Sequence, residues 1–508
     1  MAEMSVLEMP LFPEPWQKDK LKIKETAAKK IYNAMLSVNL KKYKEMCKTK
    51  AWRELQDIIR EELGASQTEE NEENGKKKKR KAKSDRLKEA YKKKNDMIRE
   101  YGFSEFAFRS QAIKMSKHYS CHISTNMASI SIGATQWVAF EKLLFGEGED
   151  VHFKRRSDTM SFASDGKSGM ILKAIDGKYC IVTRAGSKKM YLQVMSPETE
   201  YEVQMMKDIL VDKTLLRQIR ILRKVEKGKD NYYCQLTIAK KPFVKLDDYG
   251  YPIHQTGKGL VGIAVWRGKI CAVSEKETYT AILSPDAEEF EAMKKELSAK
   301  LTQIRKVNNP DNYNEDGTIK KGITGPNGKR QRLTWNLPKS YHKTKKELAE
   351  LYRVHGVNKD LTQRKIIYDI LSMGDQFVFA DMSFTNEKPE WDEENPLPNA
   401  EYKKKKARRR SIQENAPYTF FQMFNQKLSI RNLGEIEKRK VPNELYWYRH
   451  DIGTSDQEQM NDSLIQVAGK NIDQTLYRAF LIRFFENGTY DQNAICDAWE
   501  KFLCASEK

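Results

Sequence analysis

Lysine and arginine come in clusters along this chain. Such clusters hold phosphates well, because each contact releases a condensed counterion. Lys154, Arg155 and Arg156 are adjacent. Arg217, Arg220, Arg223 and Lys224 punctuate LLRQIRILRK, where strand alternation would put Arg217 with Arg223 on one face and Arg220 with Lys224 on the other. Lys329, Arg330 and Arg332 precede Trp335, and Trp335 and Tyr341 carry rings on which nucleotides can stack. Each has an ordinary alternative: solubilising charge for the basic residues, core packing for the rings. The polar stretch from His118 to Asn126 offers Tyr119, Ser120, His122, Ser124 and Asn126 as readers of base edges, or as the polar face of a helix. Lys76 to Lys83 lie in a low-complexity run that turns from acidic to basic; it reads as a solvated loop, with phosphate contact the alternative.

The charge balance of the whole chain points the same way. Its 508 residues carry a formal net charge of +20, which favours a polyanionic partner. At 39% hydrophobic there is enough apolar material for ordinary cores, and the length suits about three domains. The start, MAEMSVLEMPLF, lacks a basic segment followed by an apolar one, so no secretory signal is expected. No apolar run approaches a membrane span. The cysteines (Cys47, Cys121, Cys180, Cys234, Cys271, Cys496, Cys504) are scattered and odd in number, with no C-x-x-C. That suits reduced thiols in a cytoplasm, offers no zinc spacing, and leaves no cofactor to expect.

Several elements must position these residues. Apolar residues recurring at three and four predict helix over about 19–64, and again from RLKEAYKKK to about Phe145. From residue 151 the pattern alternates. GMILKAIDGKYCIVTRAG holds the tight-turn pair Asp176-Gly177, and KKMYLQVM, LLRQIRILRKV and NYYCQLTIAKK read as further strands, the last two joined by a turn over Lys227 to Asp230. They predict a small antiparallel sheet or barrel with one positive face. KLDDYGYPIHQTGKG reads as a linker. LVGIAVW, an Arg267-Gly268 turn and KICAV form a hairpin, followed by a long amphipathic helix, an irregular basic loop, more helix and the buried strand DQFVFADMSF. Helices close the chain around DQTLYRAFLIRFF and NAICDAWEKFL. Hairpin, helix, strand, helix is the order of an RNase H-like α/β domain with helical insertions.

Over about residues 150–508 the chain resembles the miniature type V-F CRISPR effectors and their TnpB relatives. VHFKRR and the strands ending in NYYCQLTIA look like the wedge domain; LVGIAVW, FVFADMSF and LIQVAGKNIDQTLYRAFLI look like the first, second and third RuvC motifs. NPDNYNEDGTIKKG with Trp335 and KSYHK looks like an insertion found in one branch, and APYTFFQMFNQKL like the helix after the second motif. The implied fold is α+β and multidomain: an N-terminal wedge segment (1–18), a helical recognition domain (19–150), a wedge β-barrel (151–246), a linker (247–258) and a RuvC-like domain (259–508). Within the last, a target-nucleic-acid-binding segment lies at about 432–472.

The resemblance also implies a loss. RuvC nucleases hold divalent ions with carboxylates, Asp, Glu and Asp in the successive motifs. Those positions carry over to Ala264, Ala380 and Thr475. A methyl group cannot ligate Mg²⁺, and a hydroxyl replaces a carboxylate poorly. Asp381 should point to the opposite strand face and Asp473 away from Thr475; Asp491, in DQNA, offers a competing alignment of the third motif. Thr454-Ser455 match the dipeptide beside the family's zinc ribbon but lack its cysteines; a helix cap is their alternative reading. The Thr at 475 argues for natural degeneration over laboratory inactivation.

The implied protein is not an enzyme. It binds a guide RNA and a complementary double-stranded DNA target beside a short flanking motif. It would regulate transcription by occupancy, or by recruiting a sigma factor and RNA polymerase. Two chains on one RNA form an open alternative. The rival readings are an RNA-guided DNA endonuclease with displaced metal ligands, and a guide-independent basic accessory protein of transposition.

Overall fold

A computed structural model describes residues 4–72, 85–146, 148–244, 246–247, 252–320, 333–380, 414–442, 445, 447–455 and 463–506. The backbone divides into two compact units, Met1–Pro242 and Phe243–Lys508. The architecture is mixed α and β, as expected. Among the described residues no helix is long and apolar enough to cross a membrane.

The first unit opens with strand β1 (Ser5–Phe12) and helix α1 (Pro15–Lys48). Glu14 and Gln17 close a reciprocal capping box at the start of α1, and Pro15 supplies the fixed φ that suits a first helical turn. The helix predicted over 19–64 is therefore two, since the extended backbone of Thr49 separates α1 from α2 (Lys50–Glu72). Helices α3 (Asp85–Glu100), α4 (Glu105–Ser116), α5 (Thr125–Met127) and α6 (Ala134–Phe145) complete the helical part. Phe103, Phe108 and Phe140 stack among them in its core.

Strands β2 (Phe162–Ser164), β3 (Met170–Ile175), β4 (Lys178–Ala185) and β5 (Lys188–Val194) follow. Helix α7 (Glu200–Val211) then leads to β6 (Leu216–Glu226) and β7 (Lys229–Ile238). The tight turns expected at Asp176-Gly177 and Lys227-Gly228 are present, both residues of each at positive φ. The sheet order is β2-β6-β7-β1-β5-β4-β3, so the N-terminal strand sits in the middle of it. All pairing is antiparallel, as expected, and among the described residues the sheet curls into a half-barrel with β2 and β3 at its edges.

The second unit is built on β8 (Leu260–Trp266), β9 (Lys269–Val273), β10 (Thr278–Ile282), β11 (Gln376–Ala380) and β12 (Glu437–Arg439). Their order is β10-β9-β8-β11-β12; the first three form an antiparallel meander, and β11 runs parallel to β8 and β12. Helices α8 (Ala287–Asn308) and α9 (Lys339–Leu371) lie between β10 and β11 in sequence. Helix α10 (Pro417–Ile430) packs with α9 on one face of the sheet, over Val261, Ile263, Val265, Ile270 and Ala272. The other face, with Ala264, Cys271 and Val273, receives α11 (Gln474–Leu481) and α12 (Gln492–Ser506). Covering both faces explains why these strands read as continuous apolar runs.

Small hairpins fill the region before α11. β13 (Tyr448–Arg449) pairs with β14 (Thr454–Ser455), and β15 (Leu464–Val467) with β16 (Lys470–Asp473). Thr454-Ser455 thus belong to a strand. After α11, β17 (Phe485–Glu486) and β18 (Thr489–Tyr490) form a last hairpin.

Candidate functional site

Ala264, Ala380 and Thr475 are far apart in sequence, yet they line one shallow depression in the second unit. Strand pairing explains the first two. Phe379 is level with Ile263 on the neighbouring parallel strand, so the next step brings Ala380 level with Ala264. Both then project to the face that α11 covers.

Gly262 sets the height of that helix. A Cβ there would meet the Ala479 carbonyl oxygen at 2.1 Å, so α11 descends onto β8 only because the residue is glycine. Asp473 sets where the helix begins. One carboxylate oxygen accepts from the Thr475 and Leu476 amides at 3.0 Å each, capping α11; the other pairs with Lys269 Nζ at 2.7 Å. Asp473 is therefore an N-cap rather than a rescued ligand. Asp491 likewise accepts from the Ala494 amide at 3.1 Å, at the start of α12. Asp381 lies outside the described residues.

The other lining residues are Val265, Trp266, Phe379, Val441, Arg478, Ile482 and Tyr490. Among these described residues none bears a carboxylate, imidazole or thiol. The enclosed room is about 20 Å³, on the order of one water, so any larger ligand would lie across the mouth. Divalent-ion hydrolysis of the kind the RuvC resemblance implies needs hard oxygen ligands in number. Among the described residues the donor set has a threonine hydroxyl, a tyrosine hydroxyl and a guanidinium, and does not fit such ions.

Among the described residues of the lining, Arg478 is the one charged group. It lies one helical turn after Thr475, on the same side of α11. Its guanidinium carbon is 3.7 Å from the Trp447 ring centroid and 5.1 Å from that of Trp266, with the two indoles edge to face. Neither Arg478 nor this pair of rings was marked by the sequence reading. The available signal was Arg478 at i+3 from Thr475 on a short amphipathic helix.

The basic candidates fare unequally. Lys154, half-buried, places its ammonium 5.6 Å from the Tyr32 ring, and its backbone exchanges hydrogen bonds with the Asn33 amide. Arg155 and Arg156 are exposed. Arg217 and Arg220 are exposed as well, but Arg223 is not. It holds Glu25 at 3.0 Å and Asp230 at 2.7 Å, and those carboxylates raise its pKa. Lys224 pairs with Glu8 and lies over the Tyr233 ring. The expected match of Arg217 with Arg223 on one face is overturned, because a bulge between Leu216 and Gln218 breaks the alternation and turns Arg217 outward. Lys329, Arg330, Arg332 and the run Lys76 to Lys83 lie outside the described residues.

Trp335 packs edge-on to Tyr313 at 5.9 Å, with Arg305 at 5.2 Å, so its ring is already engaged; Tyr341 is half-buried beside His342. Among the base-reading candidates, Ser124 caps α5 and Asn126 bonds Asp165 at 3.0 Å. Tyr119 packs against the core, and the His122 carbonyl accepts from buried Lys24. Ser120 is the exposed member.

No family profile and no curated protein matches the chain. Among solved structures, one described as the cryo-EM structure of the Cas12f1-sgRNA-target DNA complex is similar at 12% identity with a TM-score of 0.40. The match covers 94% of this chain and 97% of that one. This likeness is too distant to carry function across.

Proposed function

We propose that the chain is an RNA-guided DNA-binding protein that does not cut its target. One observation carries the reading: the positions that the RuvC resemblance assigns to metal carboxylates, Ala264, Ala380 and Thr475, converge in one depression with no carboxylate among the described residues of its lining. Convergence supports the residue-by-residue alignment, since unrelated residues would have no reason to meet. The strand order around it, an antiparallel meander followed by two parallel strands, agrees with the RNase H-like expectation. The charge of +20 and the exposed Arg155, Arg156, Arg217 and Arg220 suit contact with phosphate backbones.

Such a protein acts by occupancy, and a promoter target would be repressed. Recruitment of a sigma factor would instead raise transcription, so a reporter beside the target reads the sign. The deciding experiment is to purify the chain from its host and sequence the RNA that accompanies it. One species with a constant scaffold and a variable end supports the proposal, and heterogeneous RNA overturns it. The purified complex should then retain a matching duplex in Mg²⁺ without cleaving it.

A further inference from the structure

Among the described residues the chain has one Asn-Gly pair, Asn487-Gly488, at the turn between β17 and β18. We infer that Asn487 is a site of spontaneous covalent modification: it loses ammonia through a cyclic imide with Gly488, and reopens in part as an isoaspartate that keeps this hairpin from closing again. The inference is independent of the proposed function.

The reaction is an intramolecular acyl transfer and needs only water. The Gly488 backbone nitrogen attacks the side-chain carbonyl carbon of Asn487. A bond forms from that nitrogen to Cγ, and the Cγ–Nδ2 bond breaks. The proton of the attacking amide leaves with Nδ2 as ammonia. Water then opens the five-membered imide. Opening at the side-chain carbonyl gives aspartate. Opening at the main-chain carbonyl gives isoaspartate, with the chain routed through Cβ and Cγ.

Three observations carry it. The first is that the reacting groups are open and uncommitted. Both residues are exposed, and neither the Asn487 side chain nor the Gly488 amide has a hydrogen-bond partner among the described residues. Nothing lies within 4 Å of where a Cβ on Gly488 would be. The second is that the turn opens cheaply. Asn487 and Gly488 sit at φ of 51° and 88°, the signature of a type I′ turn. Such a turn holds its first residue at ψ of about +30°, which aims the next nitrogen away from that residue's side chain. Attack therefore waits for opening. The hairpin has only two residue pairs, Phe485 with Tyr490 and Glu486 with Thr489, and ladders that short open locally at little cost. The related Asp-Gly turns are better held: Asp176-Gly177 closes a ladder of six pairs, and the Asp316 carboxylate accepts from the Thr318 amide at 2.8 Å.

The third is that the product no longer fits. Isoaspartate adds a carbon to the main chain of a turn that two residues just bridge, and its carboxylate stands next to Glu486. The open form is thereby trapped. Tyr490, which stacks on Tyr448 at 4.7 Å, meets Phe485 at 4.9 Å and lines the depression, is released with it.

The test ages the full folded chain at mildly alkaline pH and maps its peptides. The peptide holding Asn487 should gain the mass difference between a hydroxyl and an amino group. An isoaspartyl methyltransferase with a labelled methyl donor should label it. Mapping separates it from Asn74-Gly75 and Asn327-Gly328, which lie outside the described residues. Asn487→Lys is the control, because Lys227-Gly228 shows that lysine suits the same turn; it should lose both signals at this position. A glutamyl endopeptidase should cut after Glu486 about tenfold faster in aged than in fresh wild type, since cleavage follows the population of the open form. Aged Asn487→Lys should show no such rise. An Asn487 that stays intact on ageing overturns the inference, and conversion in urea alone would show that the folded turn stays shut. Cleavage at Glu486 that ageing leaves unchanged overturns the trapped hairpin. The wild-type map decides the matter even if the variant fails to fold.

Discussion

The Arg478 guanidinium lies 3.7 Å from the Trp447 ring centroid, at the depression where Ala264, Ala380 and Thr475 meet. A fixed cation there opposes a divalent ion. Introducing carboxylates with Ala264→Asp, Ala380→Glu and Thr475→Asp should therefore not by itself produce cleavage, because Arg478 lies beside all three positions. Adding Arg478→Ala to that triple variant should tighten Mn²⁺ binding by at least about tenfold, a modest part of the repulsion between a guanidinium and a nearby divalent ion. Quenching of tryptophan fluorescence by Mn²⁺ measures the binding, and the lengths of a labelled target after incubation measure the cleavage.

Arg223 and Arg220 stand three residues apart on one strand, yet they should respond to different assays. Arg223 bridges buried Glu25 and Asp230, tying α1 to the sheet. Arg223→Ala leaves Glu25 with Lys29 at 2.9 Å and the Met160 amide, and should cost about 3 kcal/mol in a denaturant melt. Arg220 is exposed, and Arg220→Ala should leave the melt unchanged. It should instead lower nucleic-acid affinity and reduce the slope of log K against log salt by about one.

That contrast marks where the sequence was legible. Local chemistry read well: the pairs Asp176-Gly177, Lys227-Gly228 and Arg267-Gly268 all turn hairpins at positive φ. Asn487-Gly488 carries the same signal, and went unread because apolar residues around it continue the helical pattern of α11. Thr199 and Glu202 form a capping box ahead of α7, another local mark that the strand pattern on either side obscured. Non-local facts were harder. Nothing in SVLEMPLF shows that it pairs with residues more than two hundred positions away in the middle of a sheet. The bulge after Leu216 leaves no mark in the alternation of residue types, so the faces of Arg217 and Arg223 could not be told. At the site, Ala264, Ala380 and Thr475 were marked through family resemblance, and the structure brings them together. Arg478 and Trp447 were not, since their stack exists only once the segment before β13 folds beside α11.

His450 sits buried against Tyr477 and Trp499, its Nδ1 2.8 Å from the Tyr477 hydroxyl. Burial lowers its pKa below 6.5; Asp451 works against the shift and Arg449 with it. The unfolded chain then binds the proton more readily than the folded one. Stability from this group is complete above about pH 6.5 and declines as pH falls through 6.5 toward the depressed folded value. Urea midpoints between pH 7.5 and 5.5 should fall more steeply for the wild type than for His450→Asn, which cannot take up the proton. Parallel slopes would show that the imidazole plays no part.

Gly262 should be the least replaceable residue under the site. Its missing Cβ is what lets α11 approach β8, and an added methyl would meet the Ala479 carbonyl oxygen at 2.1 Å, Arg483 Cγ at 2.7 Å and Ile482 Cγ2 at 2.9 Å. The side-chain atoms could move aside, but the carbonyl belongs to the helix backbone, so the helix itself must lift. Gly262→Ala should cost about 1–3 kcal/mol, the usual range for overpacking. It should also shift the fluorescence of Trp266, because Arg478 rides on the displaced helix. Ala479→Gly should not rescue it, since the obstructing atom is a backbone oxygen that glycine retains. A Gly262→Ala protein with wild-type melting and emission would mean that α11 can move without cost, and that the depression is not held in place from below.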